Sequence, residues 1–172
     1  MNKKLLKLVT TALFMALCCA STFIHIPSPA SQGYLNMGDC LVLLSGWLLG
    51  PVYGFVAAGV GSAISDVVLG YAIYAPATFI IKGLMALTAF SIIRIFSKNG
   101  KEVKILPRIL SAVTAEIIMV VGYYLYDSLI TRNFVSSLAG VAGNTIQALF
   151  AIVSSVIIIE IFKKSKFNTN FR

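Results

Sequence analysis

Of the 172 residues, 58% are apolar and only 12% are charged, and the net charge is +8. Soluble domains are roughly 45–50% apolar and about 25% charged, so a soluble domain of this composition would lack polar groups for its surface. Disordered chains are poor in apolar residues, which excludes disorder. The composition predicts one integral membrane domain over residues 1–172. Since a spanning helix needs about 20 residues, the chain has room for about six spans.

Six apolar stretches, separated by proline, glycine and asparagine, predict an all-α, compact bundle of six transmembrane helices. They cover residues 5–24, 39–49, 52–69, 76–96, 108–126 and 137–162. The second stretch is too short to cross about 30 Å of hydrocarbon at about 1.5 Å per residue. We expect it either to be helped by flanking loop or to be buried against its neighbours.

Basic residues concentrate before span one, between spans four and five, and after span six. Twelve of the 14 lie there: Lys3, Lys4, Lys7, Arg94, Lys98, Lys101, Lys104, Arg108, Lys163, Lys164, Lys166 and Arg172. The opposite loops carry only His25 and Arg132. With six spans, the three groups share one side, which the positive-inside rule makes cytoplasmic together with both termini. The positive charge therefore indicates orientation and requires no nucleic-acid partner.

An alternative interpretation treats the first 24 residues as a secretory signal peptide, with three lysines before the apolar stretch Leu8–Cys19. No clear small-x-small cleavage site follows that stretch. Removal would also leave five spans and place the two remaining basic groups on opposite sides. We therefore favour a spanning helix.

Motifs for common enzyme chemistry are absent. The sequence contains no GxxxxGK[ST], HExxH, CxxC or GxSxG, and His25 is the only histidine. Cys18, Cys19 and Cys40 do not have the spacing of a metal site. We predict no enzymatic activity, no metal and no cofactor.

Polar residues inside the predicted spans indicate a cavity that faces the outside, because each ionisable group costs at least about 2.5 kcal/mol if it faces lipid. The candidates are Asp66, Lys82, Glu116, Asn144 and Gln147. All except Glu116, which is near the middle of span five, fall in the outer half. The two amides are three residues apart and therefore share a helix face.

Lys82 is expected to pair with Asp66 or Glu116, either beside a ligand or only to hold helices together. Asp39 and Asp127 mark the outer ends of spans two and five.

Six of the seven tyrosines lie on the predicted outer side: Tyr34, Tyr71, Tyr74, Tyr123, Tyr124 and Tyr126. Tyrosine is common at membrane interfaces, but a symmetric belt would not be one-sided. The bias favours aromatic groups that stack on a ligand and hydrogen-bond to its edge. The first outer loop, His25 to Gly38, has the prolines and glycine of an ordered segment, so it is either a lid or a plain extracellular loop.

Ala12, Ala16 and Ala20 recur every four residues in span one and share one helix face. Such a face permits close helix–helix approach, either within the bundle or with a partner protein. The pattern by itself favours internal packing.

The central block of the chain carries a more specific pattern. It includes Gly38-Asp39, Gly50-Pro51, Gly61-Ser62-Ala63 with Asp66, and the stretch Tyr74–Gly83. This pattern resembles the substrate-binding S components of energy-coupling factor (ECF) transporters. It is closest to the branch for hydroxymethylpyrimidine, pyridoxine and riboflavin-like vitamins.

The resemblance implies a vitamin-uptake subunit in the plasma membrane of a prokaryote. It implies ligand capture from outside and partnership with a membrane coupling subunit and two cytoplasmic ATPases. It also assigns Ala12, Ala16 and Ala20 to the docking face, and places the ligand under the first outer loop against spans four to six. Pyridoxine or hydroxymethylpyrimidine is favoured over riboflavin.

The family's ligand contacts vary with the vitamin, so the expected site residues come from depth and polarity. They are Tyr34, Asn36, Asp66, Tyr74, Lys82, Glu116, Tyr123, Tyr124, Asn144 and Gln147. The alternative function is a self-sufficient proton-coupled carrier that uses Glu116 or Asp66 as its proton site.

Overall fold

The computed structural model describes residues 2–27, 34–97 and 103–164, and the side chains of residues 26, 27, 34 and 35 lie outside that description. The described chain forms six helices and one antiparallel pair of short strands. They are α1 (Lys3–Thr22), β1 (His25–Pro27), β2 (Tyr34–Asn36), α2 (Asp39–Leu49), α3 (Pro51–Val68), α4 (Ala75–Phe96), α5 (Ile105–Thr131) and α6 (Phe134–Lys164). The predicted all-α bundle of six helices is confirmed. All helices except α2 are long and apolar enough to cross a membrane.

The two strands pair with His25 opposite Asn36 and form a hairpin at one end of the bundle. We call this the outer end and the opposite end the inner end. The predicted lid segment, His25 to Gly38, thus contains regular structure at both of its ends, and its residues 28–33 lie outside the described part of the chain.

The short helix α2 is buried along its whole length, with Leu41 its only residue that is not fully enclosed. Its first residue, Asp39, contacts Lys82 of α4. Lys82 comes seven residues after the start of α4, so α2 begins about 10 Å below that start. Because the chain enters the bundle before α2 begins, a helix of eleven residues is long enough to cover the remaining distance to the inner end. Burial against neighbours, one of the two expected explanations for the short span, is confirmed.

Small residues set the spacing between α2 and the helices beside it. Gly46 lies directly against the backbone of Ala86 on α4, so no larger side chain fits there. Gly50, with φ of 87°, makes the sharp turn into α3, which begins with Pro51 at its first position. This turn sends α3 back towards the outer end.

Helix α1 packs against α3 through one face only. Gly61 lies against the Met15 carbonyl and Cys18, and Ser65 Oγ donates to the Cys19 carbonyl over 3.0 Å. The opposite face of α1, with Ala12, Ala16 and Ala20, is exposed. Internal packing of this alanine face, which the sequence pattern favours by itself, does not occur within the described chain.

A polar network joins four helices near the inner end. Trp47 Nε1 donates to Ser111 Oγ over 2.9 Å, and Ser111 Oγ donates to the Ala89 carbonyl over 2.8 Å. The Arg108 guanidinium lies 5.5 Å from the Trp47 ring, and Arg108 Nε lies 3.7 Å from a Glu160 carboxylate oxygen. Of the basic residues predicted on this side, Lys98, Lys101, Lys166 and Arg172 lie outside the described residues.

Helix α5 continues to Thr131, past its predicted end at Tyr126. The added turn is not a solvent-exposed extension, because Asp127 and Ser128 are both buried. Asp127 accepts a hydrogen bond from Tyr74, which precedes α4, over 2.6 Å. The added turn therefore forms part of the outer end of the bundle.

Candidate functional site

A cavity lies at the outer end, between β2 and the outer halves of α1, α3, α4, α5 and α6. Every residue that lines it carries a polar side chain: Thr22, Asn36, Ser62, Asp66, Tyr74, Thr78, Lys82, Tyr123, Asp127, Asn144 and Gln147. The empty space, counted with its open part, is about 490 Å³. In a chain that is 58% apolar, such a concentration of polar side chains indicates a binding site, because polar groups buried without partners are costly.

The floor of the cavity is a buried ion pair between Lys82 on α4 and Asp39 on α2. The Lys82 side chain is 2% exposed and the Asp39 side chain is 0% exposed. The other carboxylate oxygen of Asp39 accepts from Gln147 Nε2 over 2.5 Å. The Gln147 carbonyl oxygen in turn accepts from the Asn36 backbone N–H over 2.7 Å. One network therefore connects α4, α2, α6 and the hairpin.

The expectation that Lys82 pairs with Asp66 or Glu116 is wrong, since its partner is Asp39. Asp39 was interpreted as the outer end of a span, but α2 begins inside the bundle and brings this carboxylate beside α4. The depth of α2 depends on helix packing and has no signature in the local sequence.

Tyr123 and Thr78 form one wall above the floor. Their hydroxyl oxygens lie 3.0 Å apart, which is a hydrogen-bond distance. Lys82 Nζ lies 5.3 Å from the centre of the Tyr123 ring, within the range of a cation–π interaction. The Tyr123 ring thus has a hydroxyl partner at its tip and an ammonium near its face, and it forms part of the cavity lining.

Tyr74 and Asp127 form a second wall where α4 begins and α5 ends. Tyr74 OH donates to Asp127, and the Tyr74 and Tyr126 rings meet edge to face with their centres 5.6 Å apart. Tyr126 OH also donates to the Ile73 carbonyl. These contacts fasten the turn before α4 to α5.

The remaining walls come from α3, α1 and the end of the hairpin. Ser62 and Asp66 are both buried on α3, four residues apart. Ser62 Oγ has no hydrogen-bond partner among the residues that the structure describes. At Gly38, a side-chain Cβ would lie 2.7 Å from Thr22 Oγ1 and 2.8 Å from Asn36 Oδ1, so a larger residue would displace these two side chains.

Most of the residues predicted for the site lie together at this cavity. Those that line it are Asn36, Asp66, Tyr74, Lys82, Tyr123, Asn144 and Gln147. Tyr124 does not line it, and the Tyr34 side chain lies outside the described part of the structure. Glu116 is buried on α5 and is not among the lining residues, and its carboxylate has no hydrogen-bond partner among the described residues.

Four lining residues were not predicted: Thr22, Ser62, Thr78 and Asp127. The sequence could have indicated two of them. Ser62 lies one helical turn before Asp66, and Thr78 lies one turn before Lys82, so each shares a helix face with a predicted site residue. Thr22 has no such signal, because the residues one turn before it, Cys18 and Cys19, are not predicted site residues. The geometry offers hydrogen-bond donors and acceptors beside aromatic rings, which suits reversible binding of a planar polar molecule.

This chain is similar to a family model, to a curated protein and to a solved structure. Residues 2–164 match a family model described as "ECF-type riboflavin transporter, S component". A Pyrococcus woesei protein described as an uncharacterized protein in the gap 3' region is 42% identical over 108 residues, covering 63% of this chain and 68% of that protein. A solved structure described as the S component of a bacterial ECF transporter matches with a TM-score of 0.74 and 20% identity, covering 96% of this chain and 99% of that one. The last match shows that the fold is shared.

Proposed function

The chain belongs to the S components of ECF-type transporters, and from this premise we propose that the outer cavity captures a small aromatic vitamin for delivery into the cell. An S component is the substrate-binding subunit of its transporter and not an enzyme. The observation that carries the proposal is a cavity lined entirely by residues with polar side chains, two of them tyrosines, in a chain that is 58% apolar.

We propose riboflavin as the first ligand to test, because the matching family model is described as a riboflavin transporter component. Pyridoxine and hydroxymethylpyrimidine, which the resemblance of the central sequence block favours, come second. All three have a planar ring with polar atoms on its edge. Tyr123 offers a face for stacking, and the polar lining offers partners for the ring edge.

The two amides of α6 have different proposed roles. Gln147 uses its amide nitrogen for Asp39 and its amide oxygen for the Asn36 backbone, so it holds the floor to the hairpin. Asn144 lines the cavity one turn earlier on the same helix. We assign edge recognition of the ligand to Asn144, and a positioning role to Gln147. The hairpin that Gln147 holds is the proposed lid.

Delivery is proposed to require a membrane coupling subunit and two cytoplasmic ATPases. The chain has no nucleotide-binding motif, so the energy of ATP would come from such partners. The exposed alanine face of α1, Ala12, Ala16 and Ala20, is the proposed docking surface, because small residues allow a partner helix to approach closely in lipid. The proposed location is the plasma membrane of a prokaryote, with both termini on the cytoplasmic side.

The rival function, a proton-coupled carrier that works alone, is not favoured by family membership. The two functions differ in a simple measurement. Vesicles that contain only this chain should bind vitamin without accumulating it, whereas vesicles with the complete transporter and ATP should accumulate it. Accumulation by the chain alone, driven by a pH gradient, would favour the carrier.

Ligand titration of the purified chain tests the binding site directly. Riboflavin fluorescence should be quenched on binding, with pyridoxine and hydroxymethylpyrimidine tested as competitors. Asn144→Ala should weaken binding by about 10-fold, the effect of losing one or two hydrogen bonds. Thr145→Ala is the matched control, because Thr145 is the next residue, is exposed, and bonds only to the Val141 carbonyl. Equal losses in both variants, or none in Asn144→Ala, would contradict the assignment.

A further inference from the structure

We propose that Ser62 on α3 is a ligand-binding residue, and that its hydroxyl forms a hydrogen bond with the most deeply inserted polar atom of the bound vitamin. This inference rests on the proposed function. It adds a contact from α3, a helix that the family resemblance does not assign to the ligand. The observation behind it is a buried hydroxyl at the cavity that has no hydrogen-bond partner among the described residues.

Ser62 differs from the other hydroxyl-bearing residues of the cavity. Five of the described lining residues carry a hydroxyl, and four of them use it in a hydrogen bond within the protein. Those bonds join Thr22 to the Cys18 carbonyl, Tyr74 to Asp127, and Thr78 to Tyr123. Ser62 is 2% exposed, yet its Oγ has no such bond within the described part of the chain.

Ser62 also differs from its neighbour on the same helix, Ser65. Serine hydroxyls inside helices commonly donate to a carbonyl one turn earlier. Ser65 Oγ does so, over 3.2 Å to the Gly61 carbonyl, and it also lies 3.0 Å from the Cys19 carbonyl of α1. Because Ser62 Oγ makes no bond of this kind to the described chain, both its hydrogen and its lone pairs are available to a molecule in the cavity.

The backbone beside Ser62 is held in place by close helix packing. Gly61 lies against the Met15 carbonyl of α1, and Gly59 lies against the Phe79 carbonyl of α4, so neither position has room for a Cβ. A shift of α3 that moved Ser62 to another partner would disturb both contacts. The hydroxyl is therefore fixed at the cavity, where water or a ligand must satisfy it. A ligand that displaces this water loses affinity unless it replaces the hydrogen bond.

The depth of Ser62 indicates which part of the ligand it contacts. Ala58, Ser62 and Asp66 follow one another at intervals of one turn on one face of α3. Ala58 belongs to the hydrophobic core, whereas Ser62 and Asp66 line the cavity. Since α3 runs towards the outer end, Ser62 lies about 6 Å deeper than Asp66. Ser62 is thus the innermost of the described lining residues of α3, and a neutral carbonyl, ring nitrogen or hydroxyl of the ligand suits its hydroxyl.

The experiment compares Ser62→Ala with Ser65→Ala in the full-length purified chain. Both serines are buried on α3, and they differ in whether the hydroxyl has a partner within the described protein. Ser62→Ala should weaken riboflavin binding by about 10-fold, the effect of one lost hydrogen bond. The melting temperature of the ligand-free variant should be unchanged or higher. Ser65→Ala should show the reverse, with a lower melting temperature and unchanged riboflavin affinity.

A second variant, Ser62→Cys, separates hydrogen bonding from packing and serves alone if Ser62→Ala does not fold. Cysteine fills a similar volume, but its thiol is a weak hydrogen-bond donor. Ser62→Cys should therefore bind riboflavin nearly as weakly as Ser62→Ala. Affinity equal to that of the unmodified chain would overturn the inference, because the hydroxyl would then be dispensable.

The same variants are measured with pyridoxine and hydroxymethylpyrimidine. If a vitamin binds equally well to the unmodified chain and to Ser62→Ala, this inference is overturned and the proposed function stands. A fall in the ligand-free melting temperature of Ser62→Ala as large as that of Ser65→Ala would also overturn it, since the hydroxyl would then support the fold. If none of the three vitamins binds to the unmodified chain, the proposed function fails and the inference fails with it.

Discussion

The two ends of the bundle both contain buried polar groups, but they use them differently. At the inner end, Trp47 contacts both Ser111 and Arg108, and these contacts, with those to Ala89 and Glu160, join α2, α4, α5 and α6. At the outer end, the Lys82–Asp39 network underlies an empty space with a polar lining. At the inner end the polar side chains are used to join helices. At the outer end some polar side chains face the cavity and can bind a ligand.

Ligand capture and the proposed partner docking use different faces of the helices. The cavity is bounded by the inward faces of the helices, and among the described residues of α1 Thr22 alone lines it. The alanine face of α1 is exposed on the other side of that helix. Changes on that face should therefore affect transport without affecting binding.

The largest expected effect on uptake follows from that separation. Ala12→Trp or Ala16→Trp should abolish assembly with the coupling module and vitamin uptake, because the bulky ring prevents close helix approach. Ligand affinity should be unchanged, as measured by titration of the purified chain. Ala139→Trp on α6 is the control, since that alanine is also exposed. Loss of ligand binding in the α1 variants would show that their alanines support the fold.

The next largest effect concerns the floor of the cavity. Lys82→Ala leaves Asp39 charged and buried without its partner, so the free energy of unfolding should fall by about 3–5 kcal/mol. Combining Lys82→Met with Asp39→Asn removes both charges and should recover most of that loss in thermal denaturation. An unaltered melting temperature for Lys82→Ala would contradict the buried pair.

Binding by the stable double variant then separates two roles of Lys82. If riboflavin still binds, the ion pair only positions α2, α4 and α6. If the protein is folded and riboflavin no longer binds, Lys82 also contacts the ligand. The single variant alone does not distinguish these cases, because it loses stability and charge together.

The smallest effect belongs to the inner end. Ser111→Ala removes the acceptor of Trp47 Nε1 and leaves that donor buried, which should cost about 1–3 kcal/mol of unfolding free energy. Vitamin affinity should stay within about 2-fold of the unmodified chain, because the inner network does not line the cavity. A loss of affinity comparable to that of Asn144→Ala would show that the two ends are coupled.

The sequence by itself determined the membrane class, the number of helices and the approximate bounds of each one. Bilayer thickness sets the length of an apolar stretch, and proline, glycine and charged residues punctuate the chain where spans end. Depth in the membrane also follows from position along a span. For that reason Asp66, Tyr123 and Asn144 could be assigned to the outer half and to the cavity without coordinates.

Only the tertiary structure decided which groups meet. The partner of Lys82 depends on how far α2 enters the bundle, and that depth follows from the close packing of Gly46 against Ala86. The contribution of Thr22 depends on the approach of the hairpin to α1 at Gly38. Both features depend on distances between segments that are far apart in the chain. Packing between helices determines those distances, whereas hydropathy describes each segment alone.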